Sequence, residues 1–463
     1  MDLDAGKTDL VSREFLAVVL AGFGNGLVPL TSDYGDEPCP KSLLPVANRP
    51  LLEYVFSWLE QSGIKDVLLI CPARHRSSIY HHIHSDVSSL SLRVDIQTFD
   101  ESEDSPEGTC NLLRQISNRI TEDFVLVPCD FMPPPSLPLS ALLNKFRIDA
   151  MAEGSLATTC WFAPKKQEKG TVIEEWGPSS GTTSIIWDPI TGTLLHVDSP
   201  DDVDRNSEEI SLKMSLLNKY PHTKLSANLE DSHVYVCRRL VLDLLREKPH
   251  MDSLKEEFLP WLCKIQYRQS KRRKYAEVLN GSEPHLSQHI SLEHSSLLNK
   301  HCVVDEEGQL VLADGDLEDS DVDPRISLKI GIVVHNKEDE PAVRVNTIHS
   351  FYEVNRRAST WAFLGLPSDP KDRALIDQKS QISKDSIIGE STQWKTGEAK
   401  LDGCILGKST QVGRKAELVR CVTQAGYEVA ANDVVKGEKL EVSDWTANLE
   451  SGNEDDSDSD STD

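Results

Sequence analysis

The chain has 463 residues, 38% of them hydrophobic and 27% charged, and its 75 acidic against 49 basic residues leave a formal charge of -26. That length accommodates two or three domains at roughly 100–200 residues each, and no apolar run approaches the ~20 residues a membrane-spanning helix needs. So acidic a surface repels phosphate backbones and excludes broad nucleic-acid binding, while ten cysteines without a CxxC pair point to buried reduced thiols rather than a structural zinc site.

The start, MDLDAGKTDLVSREF, is polar and mixed in charge, which reads as neither a signal nor a transit peptide and implies a cytosolic or nuclear protein, cytosolic being preferred. Phe15–Ala21 (FLAVVLA) is a short continuous apolar run of the kind a buried parallel strand requires. A glycine-rich turn follows. Pro50 then suits a helix start, and Leu51, Leu52, Val55, Phe56 and Leu59 form one apolar face before Gly63 ends the helix. Val67–Cys71 and Arg93–Phe99 read as strands, Thr109–Ile120 as a helix and Phe124–Cys129 as a strand. This alternation predicts an α/β domain with a mostly parallel sheet covered on both faces. Such sheets bind ligands beyond the carboxyl ends of their strands, and there lie Gly22 to Thr31, Gly108-Thr109 and Asp130.

From Lys271 to Pro324 a KRRK cluster (Lys271–Lys274), polar sequence and the acidic ADGDLEDSDVDP succeed one another, which predicts a largely disordered insertion. The KRRK cluster is either a nuclear signal or, preferred here, a solvated loop. LKIGIVVH (Leu328–His335) reads as a strand, and RVNTIHSFYEVNR (Arg344–Arg356) leads into a linker. Between Gln381 and Leu418, the residues Ile382, Ile388, Trp394, Leu406, Val412 and Leu418 fall on a spacing of six that only Lys400 breaks, and Gly389, Gly407 and Gly413 directly follow three of them. An aliphatic inward position beside a glycine predicts a left-handed parallel β-helix, with a few irregular strands as the competing reading. Trp394 is read as a core residue rather than a partner contact. The end, NEDDSDSDSTD, is an acidic serine-rich tail that cannot bury a core. Its serines would suit an acid-directed kinase, though plain solubilisation is the preferred reading.

The first loop runs Gly22-Phe23-Gly24-Asn25-Gly26-Leu27-Val28-Pro29-Leu30-Thr31, and its glycines allow backbone N–H groups to approach a phosphate. Pro40-Lys41-Ser42-Leu43-Leu44-Pro45-Val46 follows, a proline-flanked lysine able to hold a cation in place. Together they resemble the signature of sugar-1-phosphate nucleotidyltransferases. Gly108-Thr109, with Leu113 and Arg114 behind, resembles that family's segment beside the base, and Asp130 falls where the family keeps a magnesium-binding aspartate. Two departures count against catalysis. The family's triphosphate-steering arginine aligns with Gly26, and the glycine run is one residue short, with Phe23 inside it. Losing one positioned donor of this kind typically costs ~10²–10³ in rate. The resemblance therefore implies a vestigial nucleotide pocket of Gly22, Gly24, Asn25, Lys41, Gly108, Thr109 and Asp130, with no catalytic residue, no metal and no cofactor. Bland readings stand beside it: Gly22 and Gly24 as turn formers, Lys41 as a partner contact, Asp130 as a cap and Asp231 as structural.

IWDPITGTLLHVDS (Ile186–Ser199), DDVD (Asp201–Asp204), EEISLKMSLLNKYP (Glu208–Pro221), NLEDSHVYVCRRLVLDLL (Asn228–Leu245), SLKEEFLPWLCKIQY (Ser253–Tyr267) and DGCILGKSTQVG (Asp402–Gly413) resemble one branch of that superfamily, the gamma-type subunits of eukaryotic translation initiation factor 2B. The resemblance implies a non-catalytic subunit of a guanine-nucleotide exchange complex. It would pair directly with an epsilon subunit, assemble with beta, delta and alpha subunits and engage initiation factor 2, without direct nucleic-acid or membrane contact. The epsilon type adds a helical catalytic domain, for which the acidic tail after the β-helix leaves no expected room. The implied organisation is a nucleotidyltransferase-like domain at 13–267 with 326–356 packing on it, an insertion at 271–324, a β-helix domain at 380–445 and a tail at 450–463. The alternative is an active sugar-1-phosphate nucleotidyltransferase, such as a mannose-1-phosphate guanylyltransferase.

Overall fold

The computed structural model describes residues 14–33, 37–85, 91–99, 108–164, 176, 182–198, 214–275, 278–279, 302–304, 310–312, 328–337, 340–361, 367, 369–383, 385–395 and 398–441. The acidic tail at 450–463 and DDVD lie outside these residues, as does most of the expected insertion.

Nine strands form the main sheet: β1 Phe15–Leu20, β2 Asp66–Pro72, β3 Arg93–Phe99, β4 Asp123–Pro128, β5 Ser155–Phe162, β6 Thr183–Asp188, β7 Thr193–Val197, β8 Lys224–Cys237 and β9 Lys329–His335. Their order is β3-β2-β1-β4-β8-β5-β9-β7-β6, and β6 also pairs with the first part of β8, so this end curls back on itself. The pairings make β8 and β7 run against the other seven strands, so four pairings are parallel and five antiparallel, and the sheet is mixed rather than mostly parallel.

The alternation of β1 explains its central place. Leu16 and Val18 point into one apolar layer and Phe15, Ala17 and Val19 into the other, so both faces are dry and the run must be continuously apolar. The helix Leu51–Gln61 puts Leu52, Val55, Phe56 and Leu59 against the second layer. Leu240–Arg246 and Leu259–Ile265 cover the first. The helix expected to reach Ile120 ends at Ile116 and tightens into a 3₁₀ turn at Ser117–Arg119.

Lys271–Lys274 are not a loop, although Arg273 and Lys274 are exposed. They belong to the helix Gln269–Lys274, which the burial of Tyr275 and Leu279 in the first apolar layer anchors to the sheet. RVNTIHSFYEVNR likewise passes straight into a helix, Ile348–Trp361.

After the helix Pro370–Ala374, eleven short strands from Gln381 to Leu440 rotate through three parallel ladders. In-register partners such as Ile388 and Leu406, or Trp394 and Val412, stack directly on one another. The inward column is corrected at one point: Leu401 is 2% exposed and pairs with Ile382 and Leu418, whereas Lys400 points outward. The break at Lys400 is thus a one-residue slip. The chain takes an extra residue before Leu401 and recovers the phase by Leu406. Glycine is required where coils touch: a Cβ on Gly407 would lie 2.7 Å from the Ala425 nitrogen of the next coil. Trp394 is buried in the coil, as expected.

A third apolar cluster joins the sheet to the coil. It contains Leu27 and Leu30 of the glycine-rich loop, Phe351, Tyr352 and Val354 of the long helix, and Ile405 and Val422 of the coil. Polar ties cross the same junction, with the Gln424 amide donating to the Asp33 carbonyl at 2.7 Å and the Trp176 indole to that of Arg420 at 3.1 Å.

Candidate functional site

The glycine-rich loop leaves the carboxyl end of β1 and closes through the Thr31 hydroxyl, which donates to the Gly24 carbonyl at 3.0 Å. Gly24 sits at φ 89°, and a Cβ there would lie 2.9 Å from the Lys41 and Thr31 side chains, so the turn-forming role read from sequence is sufficient for it. Asn25 opens a short 3₁₀ turn and is exposed. Lys41 begins a second 3₁₀ turn and is buried to 9% exposure.

A cavity of about 210 Å³ opens at the ends of β1 and β4. Gly22, Lys41, Thr109 and Asp130 of the sequence-read set line it, together with His233, Tyr235, Lys255 and Arg344. Gly24, Asn25 and Gly108 are not in its wall. At Gly108 a Cβ would collide with the Asp252 carbonyl, which also accepts from the Cys110 N–H at 2.9 Å. The start of the helix at Thr109 is therefore partly capped from within the chain. Arg114 is structural as well, donating to the carbonyls of Leu245 at 3.0 Å and Lys248 at 2.7 Å and to that of Met251.

The Asp130 carboxylate caps no helix among the described residues and faces two cations. Its Oδ2 accepts from Lys41 Nζ and, at 3.0 Å, from Arg344 Nη2, and its Oδ1 accepts from Arg344 Nε at 3.2 Å. Burial alone would raise this carboxyl, yet the Arg344 and Lys41 charges outweigh it and hold the group far below the ordinary carboxylate range. Lys41 is thus an internal partner of Asp130 rather than a free cation at the surface.

Beside it, a bulge in β8 between Asp231 and Tyr235 turns His233 to the cavity wall at φ 57°. Asp231 holds the bulge, its Oδ1 accepting from the His233 N–H at 2.9 Å and its Oδ2 from the Tyr235 hydroxyl; this is the structural role read for it. Burial lowers His233 and raises Asp231 and Tyr235. Glu230 is pushed up to about 7 by burial, against the nearby Lys255 and Arg344 charges.

The donor set does not fit a divalent cation. Both Asp130 oxygens face cations, both Asp231 oxygens are engaged, and no group of three or more His, Cys, Asp or Glu among the described residues is arranged to hold a metal. The loop has a second obstruction. A Cβ on Gly26 would lie 2.3 Å from the Asn346 carbonyl oxygen, well inside van der Waals contact, so the main chain at 346 leaves no room for a side chain there. Arg344, Lys255, His233 and Tyr235 are the polar site residues that sequence reading missed. Lys255 sits in a segment noted for resemblance alone, Arg344 in one read only as leading into a linker, and the bulge hides His233 from the strand period.

The sheet carries a glycine-rich loop and an aspartate at its strand ends, and a family model described as nucleotidyl transferase matches residues 16–168. Along almost its whole length the chain is similar to translation initiation factor eIF2B gamma subunits. It is 28% identical over 460 residues to that of Schizosaccharomyces pombe, covering 92% of this chain and 90% of the relative, and 24% identical over 435 residues to that of Dictyostelium discoideum, covering 88% and 87%. The eIF2B epsilon subunit of Schizosaccharomyces pombe matches at 24% over 264 residues, which are 55% of this chain and 35% of that one. No helix among the described residues is long and apolar enough to cross a membrane.

Proposed function

We propose that this chain is a non-catalytic, gamma-type subunit of the translation initiation factor 2B exchange complex in the cytosol. It pairs with an epsilon-type subunit, assembles with beta, delta and alpha types and contributes to GDP/GTP exchange on initiation factor 2. Exchange needs no acid, base or nucleophile; it needs surfaces that bind one nucleotide state preferentially. The observation that carries the non-catalytic part is the Asn346 carbonyl over Gly26, which leaves no room for a phosphate-steering side chain. In this reading Gly22, Gly24, Asn25, Lys41, Gly108, Thr109 and Asp130 are inherited architecture, of which Gly22, Lys41, Thr109 and Asp130 line the cavity. The domain division follows: 13–267 with 326–356 as one body, 271–324 as an insertion, 380–445 as a left-handed β-helix matching the six-residue period, and 450–463 as a tail.

The test has two arms. Affinity purification of the tagged chain from native extract is expected to bring down epsilon-, beta-, delta- and alpha-type chains, and their absence overturns the assembly. Purified chain mixed with sugar 1-phosphates and nucleoside triphosphates is expected to release no pyrophosphate above background. Robust release would instead establish the alternative, an active sugar-1-phosphate nucleotidyltransferase.

A further inference from the structure

Arg344 does more than neutralise one carboxylate. Its guanidinium meets both oxygens of Asp130 and lies in the field of Asp231, so one planar cation serves two buried acids at the head of the pocket. Buried carboxylates converging from two strands need a cation, because an unpaired buried charge is among the costliest features a fold can carry. In a metal site a divalent ion meets that need. Here the chain supplies the charge from its own residue.

That cation is tethered to a structural element. Val343–Arg344 pairs antiparallel with Phe131–Met132, the strand that directly follows Asp130, and the Val345 N–H donates to the Asp130 carbonyl at 2.8 Å. Asn346 then covers Gly26, and the helix Ile348–Trp361 begins. That helix presents Phe351, Tyr352 and Val354 to Ile405 and Val422 of the coil, and its Asn355 accepts from the Ala47 N–H at 3.0 Å. Side-chain charge, backbone pairing and apolar packing therefore run in one continuous segment from the pocket to the coil.

We infer that Arg344 is a built-in cation standing where a divalent metal would, and that its grip on Asp130 pins the strap 343–348 across the pocket as the joint on which the coil is mounted. The inference does not depend on which complex the chain joins, and none of its readouts is catalytic activity or subunit capture.

The experiment uses the full chain, alone or in whatever assembly it purifies with, and reads Mn²⁺ binding by electron paramagnetic resonance alongside hydrogen exchange. Wild-type protein is expected to bind no Mn²⁺ at this site. Arg344→Ala is expected to raise exchange along Ile348–Trp361 and at Ile405–Leu406 by on the order of a hundredfold, the size expected when one partner of a buried ion pair is removed. The same variant is expected to gain a Mn²⁺ site that Asp130→Asn abolishes, with bound Mn²⁺ restoring part of the protection. Arg344→Lys keeps the charge without the fork, so it should exclude Mn²⁺ and exchange at an intermediate rate. Mn²⁺ binding by wild-type protein that Asp130→Asn removes overturns the inference, and that measurement needs no Arg344 variant to fold. Unchanged exchange in Arg344→Ala also overturns it, as does Arg344→Lys behaving like Arg344→Ala in both readouts.

Discussion

The pocket and the coil assemble their interiors over very different chain distances. In the coil, each ladder joins residues 17 to 19 apart, as in Ile405 with Val422 or Ile382 with Leu401. In the pocket, Asp130 lies 89 residues from Lys41 and 214 from Arg344. A defect in the coil is therefore shared with the coils immediately above and below. A defect in the pocket is transmitted along the strap to a part of the chain far away in sequence. Local stacking tolerates the slip at Lys400, whereas the pocket offers no neighbouring turn in which to absorb an error.

The sharpest way to break this contrast is at the slip itself. Leu401→Ala is expected to cost about 2–5 kcal/mol by removing a buried aliphatic from the column, while Lys400→Ala should stay within about 0.5 kcal/mol. Denaturant unfolding of both variants checks the pair, and the reverse order would return the inward position to Lys400.

The pocket side is probed through pH. Glu230 has a folded pKa of about 7 against an ordinary 4.5, so the folded state holds its proton more tightly than the unfolded chain. Its contribution is complete below about 4.5 and is lost as pH rises through about 7. Glu230→Gln is expected to flatten the stability profile across that window, measured by melting at a series of pH values. A profile unchanged by the substitution would remove Glu230 from the pocket's electrostatics.

The smallest effect is expected at Trp394. Its indole N–H is buried without a hydrogen-bond partner, so Trp394→Phe discards an unsatisfied donor while keeping most of the ring. The two terms offset, and a net change of no more than about 1.5 kcal/mol is expected by denaturant unfolding. A much larger loss would mean that the N–H has a partner in solution.

Legibility in the sequence follows the same division. β1 could be read because a strand buried on both faces must be apolar throughout, and FLAVVL is. The coil could be read because its inward column repeats, and even Lys400 was visible as a break, though only the register with Leu418 shows that Leu401 takes over. In the pocket, residue types were visible but their partners were not. Lys41 and Asp130 were picked out separately for phosphate and metal, and the structure turns them toward each other. Arg344 carries no local mark, since what gives it meaning lies on another strand. His233 escaped because a bulge interrupts the alternation from which β8 could have been read.

The carbonyl of Asn346 also changes what residue 26 is free to become. Any side chain there meets main chain before it can meet a ligand, so a substitution at this position requires the backbone at 346 to shift. Selection at residue 26 thus acts through shape, whether or not chemistry would be rewarded. A return would need the strap to move first, and the strap also carries the helix that packs against the coil. The two features hold each other in place like the teeth of a ratchet.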